Sequence, residues 1–506
     1  MEIELKLALP KHQAARIRRH ALLHAIKPNK NTLHSIYFDT PDFELMRRGI
    51  ALRVRRIGYH WVQTLKAEAR AVGAMSSRPE WEMAVAGGAS PDFAVLPQAA
   101  LELLHGIDRA RIAPAFATRF QRTTWQITHG DDQAELALDI GEIQAGEAAQ
   151  AISEIEIELK TGAADFLFDV ALRLLPDADL TIEPRSKAER GYALCGASRP
   201  APVKAVRPDI HPQQSSGAAW QAVMQAALAQ LVANVPGVLE RAQEIEYLHQ
   251  LRIALRRLRA GLALNGALKS GQSRIAADTV QPLRRVMRGL NPARDWDVFL
   301  HETLPRTLAA LGVPAAPAPG EEAMLALLRE AAADSRRQAQ ALLRSAEFTG
   351  LVLALGRGLL PAAAAPAASG AAPASAQAWA AGILEKRWRT LRKRCRRFAR
   401  LDPAERHLAR IAAKKLRYAA EAFAPFYGKR GARFIAALAE LQNALGSAND
   451  AHVGAELLRT LPKKSLSISF ELGRLEGALQ VEAARHAGIS AAVWRRLAQS
   501  RLFWRG

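Results

Sequence analysis

The chain has 506 residues, 49% of them hydrophobic, and a formal net charge of +21. That length exceeds one ordinary core and calls for two or three domains. No run of about 18 apolar residues appears, so no membrane span is expected; with only Cys195 and Cys395 a disulfide framework is excluded, and a cytoplasmic location fits. The N-terminus is charged and lacks a signal-peptide pattern.

The charge is unevenly placed. Residues 1–199 carry 25 Lys+Arg against 26 Asp+Glu, and residues 200–506 carry 45 against 23. The excess in the second part implies a polyanionic partner: nucleic acid, polyphosphate or an acidic membrane surface. The plainer alternative is solubility charge on long helices.

Strands are predicted first. The chain opens with Glu2-Ile-Glu-Leu-Lys6, and a related run, Glu154-Ile-Glu-Ile-Glu-Leu-Lys160, recurs downstream. Strand side chains alternate between faces. Glu2, Glu4 and Lys6 thus share one face, as do Glu154, Glu156, Glu158 and Lys160, with Ile and Leu opposite. A row of carboxylates on one face is costly unless positive charge compensates it, and a divalent cation with oxygen ligands does so. Further alternating segments lie at 35–38, 51–56, 61–66, 80–85, 123–128, 135–139 and 152–160. Helices are predicted at 11–25 and 164–175. Many antiparallel strands with polar inward rows suggest a closed barrel with helices outside.

Basic rows accompany the acidic ones: Arg53 with Arg55, Thr64 with Lys66, then Arg119, Arg185, Lys187 and Arg190. Glu80, Glu82 and Asp139 add acid. A lumen holding both signs suits a polyphosphate with bound metal, since Arg and Lys neutralise phosphate oxygens while carboxylates hold Mg2+ or Mn2+. Any single pair is more simply an exposed strand face with surface ion pairs; the full set argues for the lumen.

These residues, with Tyr37-Phe-Asp-Thr-Pro-Asp42, Leu52-Arg-Val-Arg-Arg56, Gln63-Thr-Leu-Lys66, Arg78-Pro-Glu-Trp-Glu82 and Pro184-Arg-Ser-Lys-Ala-Glu-Arg-Gly-Tyr192, resemble a CYTH domain of the triphosphate tunnel metalloenzyme family over residues 1–197. The resemblance implies an N-terminal α+β domain built on an eight-stranded antiparallel β tunnel that hydrolyses or cyclises triphosphates with Mg2+ or Mn2+. It implies catalytic roles for Glu2, Glu4, Lys6, Glu156 and Glu158, and metal ligands among Glu2, Glu4, Glu80, Glu82, Asp139, Glu156 and Glu158. Lys6, Arg53, Arg55, Lys66, Arg119, Arg185 and Lys187 are the implied phosphate clamps. Some members carry a lysine two residues before the position of Arg119, where this chain has Ala117.

Residues 198–217, rich in Pro, Ser and Gln, read as a linker. From 218 the chain is Ala-, Leu- and Arg-rich and expected to be all-helical. A Pro/Ala/Ser/Gly stretch at 361–376 divides it into halves at about 218–360 and 377–500. Each half carries His-x2-Arg-x3-Arg/Lys-x2-Arg: His249, Arg252, Arg256 and Arg259, then His407, Arg410, Lys414 and Arg417. Each is followed by an Asp-bearing element, Leu290-Asn-Pro-Ala-Arg-Asp295 and Leu445-Gly-Ser-Ala-Asn-Asp450. The repeat suggests two helical bundles related by a pseudo-twofold. On a helix each set forms a stripe of like charge that an anion would relieve; a solvated face is the plainer reading of one stripe. A metal role for the histidines lacks an accompanying acidic or Cys cluster.

The stripes and Asp elements resemble the CHAD domain, a histidine-bearing α-helical domain, over residues 218–500. That resemblance implies a pair of four-helix bundles facing a cavity that binds inorganic polyphosphate through the eight stripe residues. The tandem order resembles bacterial inorganic triphosphatases. Inorganic triphosphate and polyphosphate are therefore the expected partners. Alternatives are a non-catalytic polyphosphate-binding module and a tunnel enzyme acting on ATP or thiamine triphosphate. Specific nucleic-acid binding is not expected, because the basic half shows no groove-reading elements and its aromatic stacking platforms are sparse. The sequence leaves the oligomeric state open.

Overall fold

The computed structural model describes residues 2–67, 70–86, 88–265, 275–313, 318–360, 375–462 and 465–505. The N-terminal part is one curled antiparallel sheet. Its strands are β1 (Glu2–Ala8), β2 (Asn29–Asp39), β3 (Ala51–Ile57), β4 (His60–Lys66), β5 (Arg70–Val72), β6 (Met75–Arg78), β7 (Glu80–Val85), β8 (Ala113–His129), β9 (Asp132–Ala145), β10 (Ala148–Thr161) and β11 (Thr181–Ile182). Their order is β5-β6-β1-β10-β9-β8-β2-β3-β4-β7, with β11 beside β1. Eight strands have six residues or more, matching the expected tunnel; β5, β6 and β11 are additions of two to four residues. Among the described residues the end strands β5 and β7 do not pair with each other. The chain itself crosses between the sheet's two ends at Pro79, whose carbonyl accepts from the Ala67 N–H at 3.1 Å.

Period-two alternation explains the curl. On β1 and β10 the apolar side chains of Leu5, Leu7, Ile155 and Ile157 are fully buried on the outer face, each worth about 1.5–3 kcal/mol. They pack with Phe168, Val170 and Leu174 of a helix at Asp165–Leu174. The opposite face is left to the charged rows. The helix expected at 11–25 is shorter: a 3-10 turn at Lys11–Gln13 leads into Ala14–Arg18. The chain is turned off the helical path where Gln13 and His20 bind Asp179 and Asp177.

The C-terminal part is helical. In chain order, with α1 (Ala14–Arg18), α2 (Glu44–Arg47), α3 (Gln98–Leu103), α4 (Asp165–Leu174) and α5 (Lys187–Leu194) preceding, its helices are α6 (Ser216–Glu240), α7 (Ile245–Asn265), α8 (Val280–Gly289), α9 (Asn291–Val298), α10 (Leu304–Ala310), α11 (Pro319–Leu343), α12 (Ala346–Gly358), α13 (Ala376–Arg394), α14 (Pro403–Phe423), α15 (Gly428–Arg459) and α16 (Leu466–Ala498). The repeat is visible at the starts of α6 and α13. Their N-cap serines, Ser215 and Ser375, meet in an antiparallel bridge. α6 and α7 then correspond to α13 and α14, the bent run α8–α10 to α15, and α11 to α16. Helix α12 has no counterpart among the described residues and packs against the tunnel domain through α4. The dividing stretch at 361–374 lies outside the described residues, as does the Asn449 side chain.

One helix departs from the membrane expectation. α6 is long and apolar enough by length and composition to cross a bilayer, with mean hydropathy 1.5, yet 67% of that window is buried inside the fold. It serves here as a core helix: Trp220, Met224, Leu228 and Leu231 are buried against the rest of the bundle. The expected linker is pinned as well. Asn234 of α6 accepts from the Val203 N–H at 3.0 Å and donates to its carbonyl at 2.9 Å.

A charged tunnel and a basic helical cleft

The register of β1 sets the tunnel wall. Glu4 lies opposite Glu158 and Lys6 opposite Glu156 on β10, while Glu2 lies opposite Arg78 on β6. Across the lumen, Arg53 pairs in register with Thr64, and Lys66 with Glu80. A cavity of about 940 Å³ is lined by Glu2, Glu4, Lys6, Arg53, Arg55, Lys66, Glu80, Glu82, Glu156, Glu158 and Lys187. Expected site residues are thus brought together from five strands and the N-terminus of α5.

Opposite charges answer one another along the wall. Lys66 Nζ donates to Glu2 at 2.7 and 2.9 Å and lies 3.2 Å from Glu80. Burial disfavours the Glu2 carboxylate, but Lys66 and Arg78 outweigh it and hold its pKa down at about 2. Burial, together with the Glu2 charge and against the pull of Lys66, pushes Glu80 up. Burial also opposes the Lys6 ammonium, yet Glu4, Glu156 and Glu154 raise its pKa overall. Lys6 Nζ stands 3.2 Å from Glu156 and 3.7 Å from Glu4.

A deeper layer is structural. Asp139, Glu154 and Glu156 bring one oxygen each within 4.8 Å of one another, a spacing that could hold a metal. Cations of the chain itself occupy that role here. Lys187 Nζ reaches Asp139 at 2.7 Å, Glu156 at 3.0 Å and also Glu154; Arg122 forks onto Asp139 at 2.8 and 2.6 Å and reaches Glu156; Arg190 holds Glu154. Asp139 and Glu154 are fully buried. Buried charges survive only when paired this completely. Glu2, Glu4 and Glu158 form the outer carboxylate set. Glu4 faces Glu158 across the ladder, and among the described residues Glu158 has only the half-exposed Lys160 as ion partner, at 2.7 Å. Hard oxygen donors converging on an accessible lumen fit a divalent cation better than the saturated inner layer does.

Arg55 differs from its neighbours. It pairs with no carboxylate among the described residues, and its Nε donates to Ser35 Oγ at 2.9 Å. Burial, with Arg53 and Arg122 nearby, pulls its pKa down to about 9. The Phe120 ring lies beneath three cations, 5.0 Å from Lys187 Nζ and 5.7 Å from the guanidinium carbons of Arg55 and Arg122.

Two expected phosphate clamps lie elsewhere. Arg119 is exposed on β8, because its neighbour Phe120 points into the lumen and consecutive strand residues face opposite ways. The lumenal cation of β8 is Arg122, so the position two residues before it is Phe120 rather than Ala117. Arg185 forks onto Glu183 and onto Glu240 at the end of α6, away from the tunnel lining. Asp139 sits behind the lining as a buried anchor. Arg78, Arg122 and Tyr37 join the wall although the sequence patterns do not single them out as site residues. Arg78 is detectable in principle, since it has the same strand parity as Glu80 and Glu82.

The helical stripes converge between α7 and α14. Lys414 feels Arg410, Arg256 and Arg252, and burial plus that crowding brings its pKa down to about 7. Burial and Arg256 pull Arg252 to about 10. The Nε atoms of Arg252, Arg256, Arg406 and Arg410 are buried without a hydrogen-bond partner among the described residues. Asp295 and Asp450 face this group from α9 and α15. Burial raises the Asp295 pKa, and Asp450 adds to it against the pull of Arg252; Asp450 lies 3.6 Å from Arg410. The remaining stripe residues diverge. His249 is half-buried, with its pKa lowered by burial and by Arg294. His407 and Arg259 are exposed. Arg417 is tied to Glu421 at 2.6 Å and Gln442 at 3.2 Å.

Residues 1–192 match the family model of the CYTH domain, and residues 222–459 that of the CHAD domain. An inorganic triphosphatase of Haemophilus influenzae is 34% identical over 194 residues, covering 38% of this chain and 54% of the relative. The chain thus spans about half the length of that curated relative. The solved CHAD domain of the plant Ricinus communis aligns at 29% identity over 60% of this chain and 98% of its own, with a TM-score of 0.52.

Proposed function

We propose that this chain, a CYTH domain followed by a CHAD domain, hydrolyses inorganic triphosphate in its tunnel and holds longer polyphosphate in its helical cleft. The observation that carries the first half is the lumen itself: Arg55, without a carboxylate partner among the described residues, faces an outer set of carboxylates across a cavity of about 940 Å³. A linear phosphate chain satisfies both sides when it arrives with a divalent cation.

Glu2, Glu4 and Glu158 are the residues suited to hold Mg2+ or Mn2+. When bound, such an ion neutralises phosphate oxygens and lowers the pKa of a coordinated water. The rest is positioning and charge neutralisation, as phosphoryl transfer demands. Arg53, Arg55, Lys6 and Lys66 hold the phosphate oxygens, and Arg78 is placed to move from Glu2 and Glu4 onto them. The inner network of Asp139, Glu154 and Glu156 fixes Lys187 and Arg122 at the tunnel floor.

The second half rests on the crowded cations of α7 and α14. Four buried guanidinium Nε atoms without partners among the described residues, and a lysine at about 7, describe a site short of negative charge. A polyanion supplies it. The test is a substrate panel of tripolyphosphate, ATP, thiamine triphosphate and long-chain polyphosphate, with Mg2+ and with Mn2+. Tripolyphosphate is expected to be cleaved fastest, and long-chain polyphosphate to bind without comparable turnover. Faster cleavage of ATP or thiamine triphosphate would reassign the substrate.

A further inference from the structure

The helical domain meets the tunnel domain in several places, among them Arg357 of α12 on Asp169 of α4 at 2.7 Å; three of the contacts fall on segments that lead to lumenal cations. Thr349 of α12, fully buried, donates its hydroxyl to the Leu180 carbonyl at 2.7 Å, just before β11. Glu240, the last residue of α6, accepts from Arg185 Nη1 at 2.8 Å and Nη2 at 2.5 Å. Arg185 is meanwhile locked on its other edge by Glu183 at 2.8 and 2.7 Å, and its own N–H donates to Glu183 at 3.0 Å. Earlier on α6, Leu228 backs the β5–β6 hairpin at Gly73, where an added Cβ would lie 3.1 Å from Leu228 Cδ2.

Each anchor lies just upstream of residues that line the tunnel. Immediately after Arg185, Ser186 caps α5 in a reciprocal capping box with Glu189, and Lys187 is the first residue of that helix. The segment 180–186 is therefore held at one end by α12 and at the other by α6, and it delivers Lys187 and Arg190 to Asp139, Glu154 and Glu156. After the hairpin, β6 delivers Ser76 and Arg78 to Glu4 and Glu2. Glu240 and Leu228 lie twelve residues apart on one helix, about 18 Å at 1.5 Å per residue.

We infer that α6 and α12 are structural parts of the tunnel, with Glu240 and Thr349 acting as positioning residues that set Lys187, and through it the floor network of Asp139, Glu154 and Glu156, beneath the phosphate-binding lumen. This rests on the triphosphatase reading above. It also gives Arg185 a role that its place in the motif does not suggest: its forked guanidinium joins the domains outside the lumen.

The experiment compares full-length wild type with Glu240→Gln, Thr349→Val and the double variant. Tripolyphosphate hydrolysis and amide hydrogen exchange over 180–194 are both measured. Each single variant is expected to raise KM roughly threefold and the double variant roughly tenfold, from the loss of one partly exposed ion pair and one buried hydrogen bond. The expected kcat stays within about twofold, exchange over 180–194 accelerates, and Glu240→Asp restores the wild-type KM. Wild-type KM and exchange in the double variant would overturn the inference. A wild type without hydrolysis would overturn the triphosphatase reading instead, and the exchange readout alone would then decide the anchoring. Glu240→Gln, at a half-exposed helix end, keeps the test available if Thr349→Val does not fold.

Discussion

Glu4 on β1 stands directly opposite Glu158 on β10, so two lumenal carboxylates share one rung of the ladder. Side chains facing each other across an antiparallel pair have Cβ atoms about 4.5–5.5 Å apart, and like charges there are unfavourable. The pair is maintained on the tunnel's inner face, where Arg78 and Lys160 meet it from either side. If this rung holds the cation, Glu158→Gln raises the Mg2+ concentration needed for half-maximal tripolyphosphate turnover by roughly tenfold. An unchanged Mg2+ titration would move the ion elsewhere.

Arg55 is expected to trade stability for binding. Its folded pKa of about 9 lies below its ordinary 12.5, depressed by burial, Arg53 and Arg122. The folded state therefore binds fewer protons between these values, and stability contributed by this group rises with pH from about 9 to 12.5. At neutral pH the charged form is a cost. Arg55→Met should raise the ligand-free melting midpoint by roughly 2–4 °C while weakening tripolyphosphate binding. A lowered midpoint in calorimetry would contradict this.

Lys414 gives the helical cleft a pH dependence near neutrality. Burial and the neighbouring Arg410, Arg256 and Arg252 depress it to about 7, against the pull of Asp450. A bound polyanion favours the ammonium, so binding above pH 7 takes up a proton. Affinity for long-chain polyphosphate should fall as pH rises from 6 to 8. Calorimetry in buffers of different ionisation enthalpy should register the uptake, and Lys414→Arg should remove it. Proton-neutral binding at pH 8 in the wild type would count against the site.

The same cleft should respond steeply to salt. For linear polyanions each neutralised charge contributes roughly 0.7 to the slope of log K against log salt. Arg256→Gln should reduce that slope by about one such increment, whereas Arg417→Gln, whose guanidinium is held by Glu421 and Gln442, should leave it unchanged.

Strand parity on β8 is separately testable. Arg122→Ala should abolish tripolyphosphate turnover or unfold the domain, since it strips buried Asp139 of its fork, a loss of about 3–5 kcal/mol. Arg119→Ala should be neutral in both melting and turnover.

Arg122 and Arg119 also mark where the sequence is legible and where it is not. Period-two rows announce the tunnel, because Glu2, Glu4 and Lys6 and the row at Glu154–Lys160 leave only one polar face. The same alternation, followed from Arg122 through Phe120, excludes Arg119 from the lumen; the alternating pattern is clear only from 123, and it leaves the parity upstream open. Arg78 lies on a strand too short to display a period by itself, and its parity emerges only when it is read together with Glu80 and Glu82 beyond Pro79. The helical repeat is legible from the spacing of the two stripes. Arg185 is not, since its partner Glu240 belongs to another domain, and no local pattern records a contact 55 residues away. Likewise Arg417 continues the stripe in sequence but is diverted by Glu421, one turn further along α14.

The most direct measurement is phosphate release from tripolyphosphate by wild type and Glu4→Gln, in Mg2+ and after chelation, with circular dichroism as the fold control. The tunnel account predicts turnover that needs the cation and is lost in a folded Glu4→Gln variant. Turnover that survives Glu4→Gln, or a folded wild type that binds polyphosphate but releases no phosphate in Mg2+ or Mn2+, would contradict it.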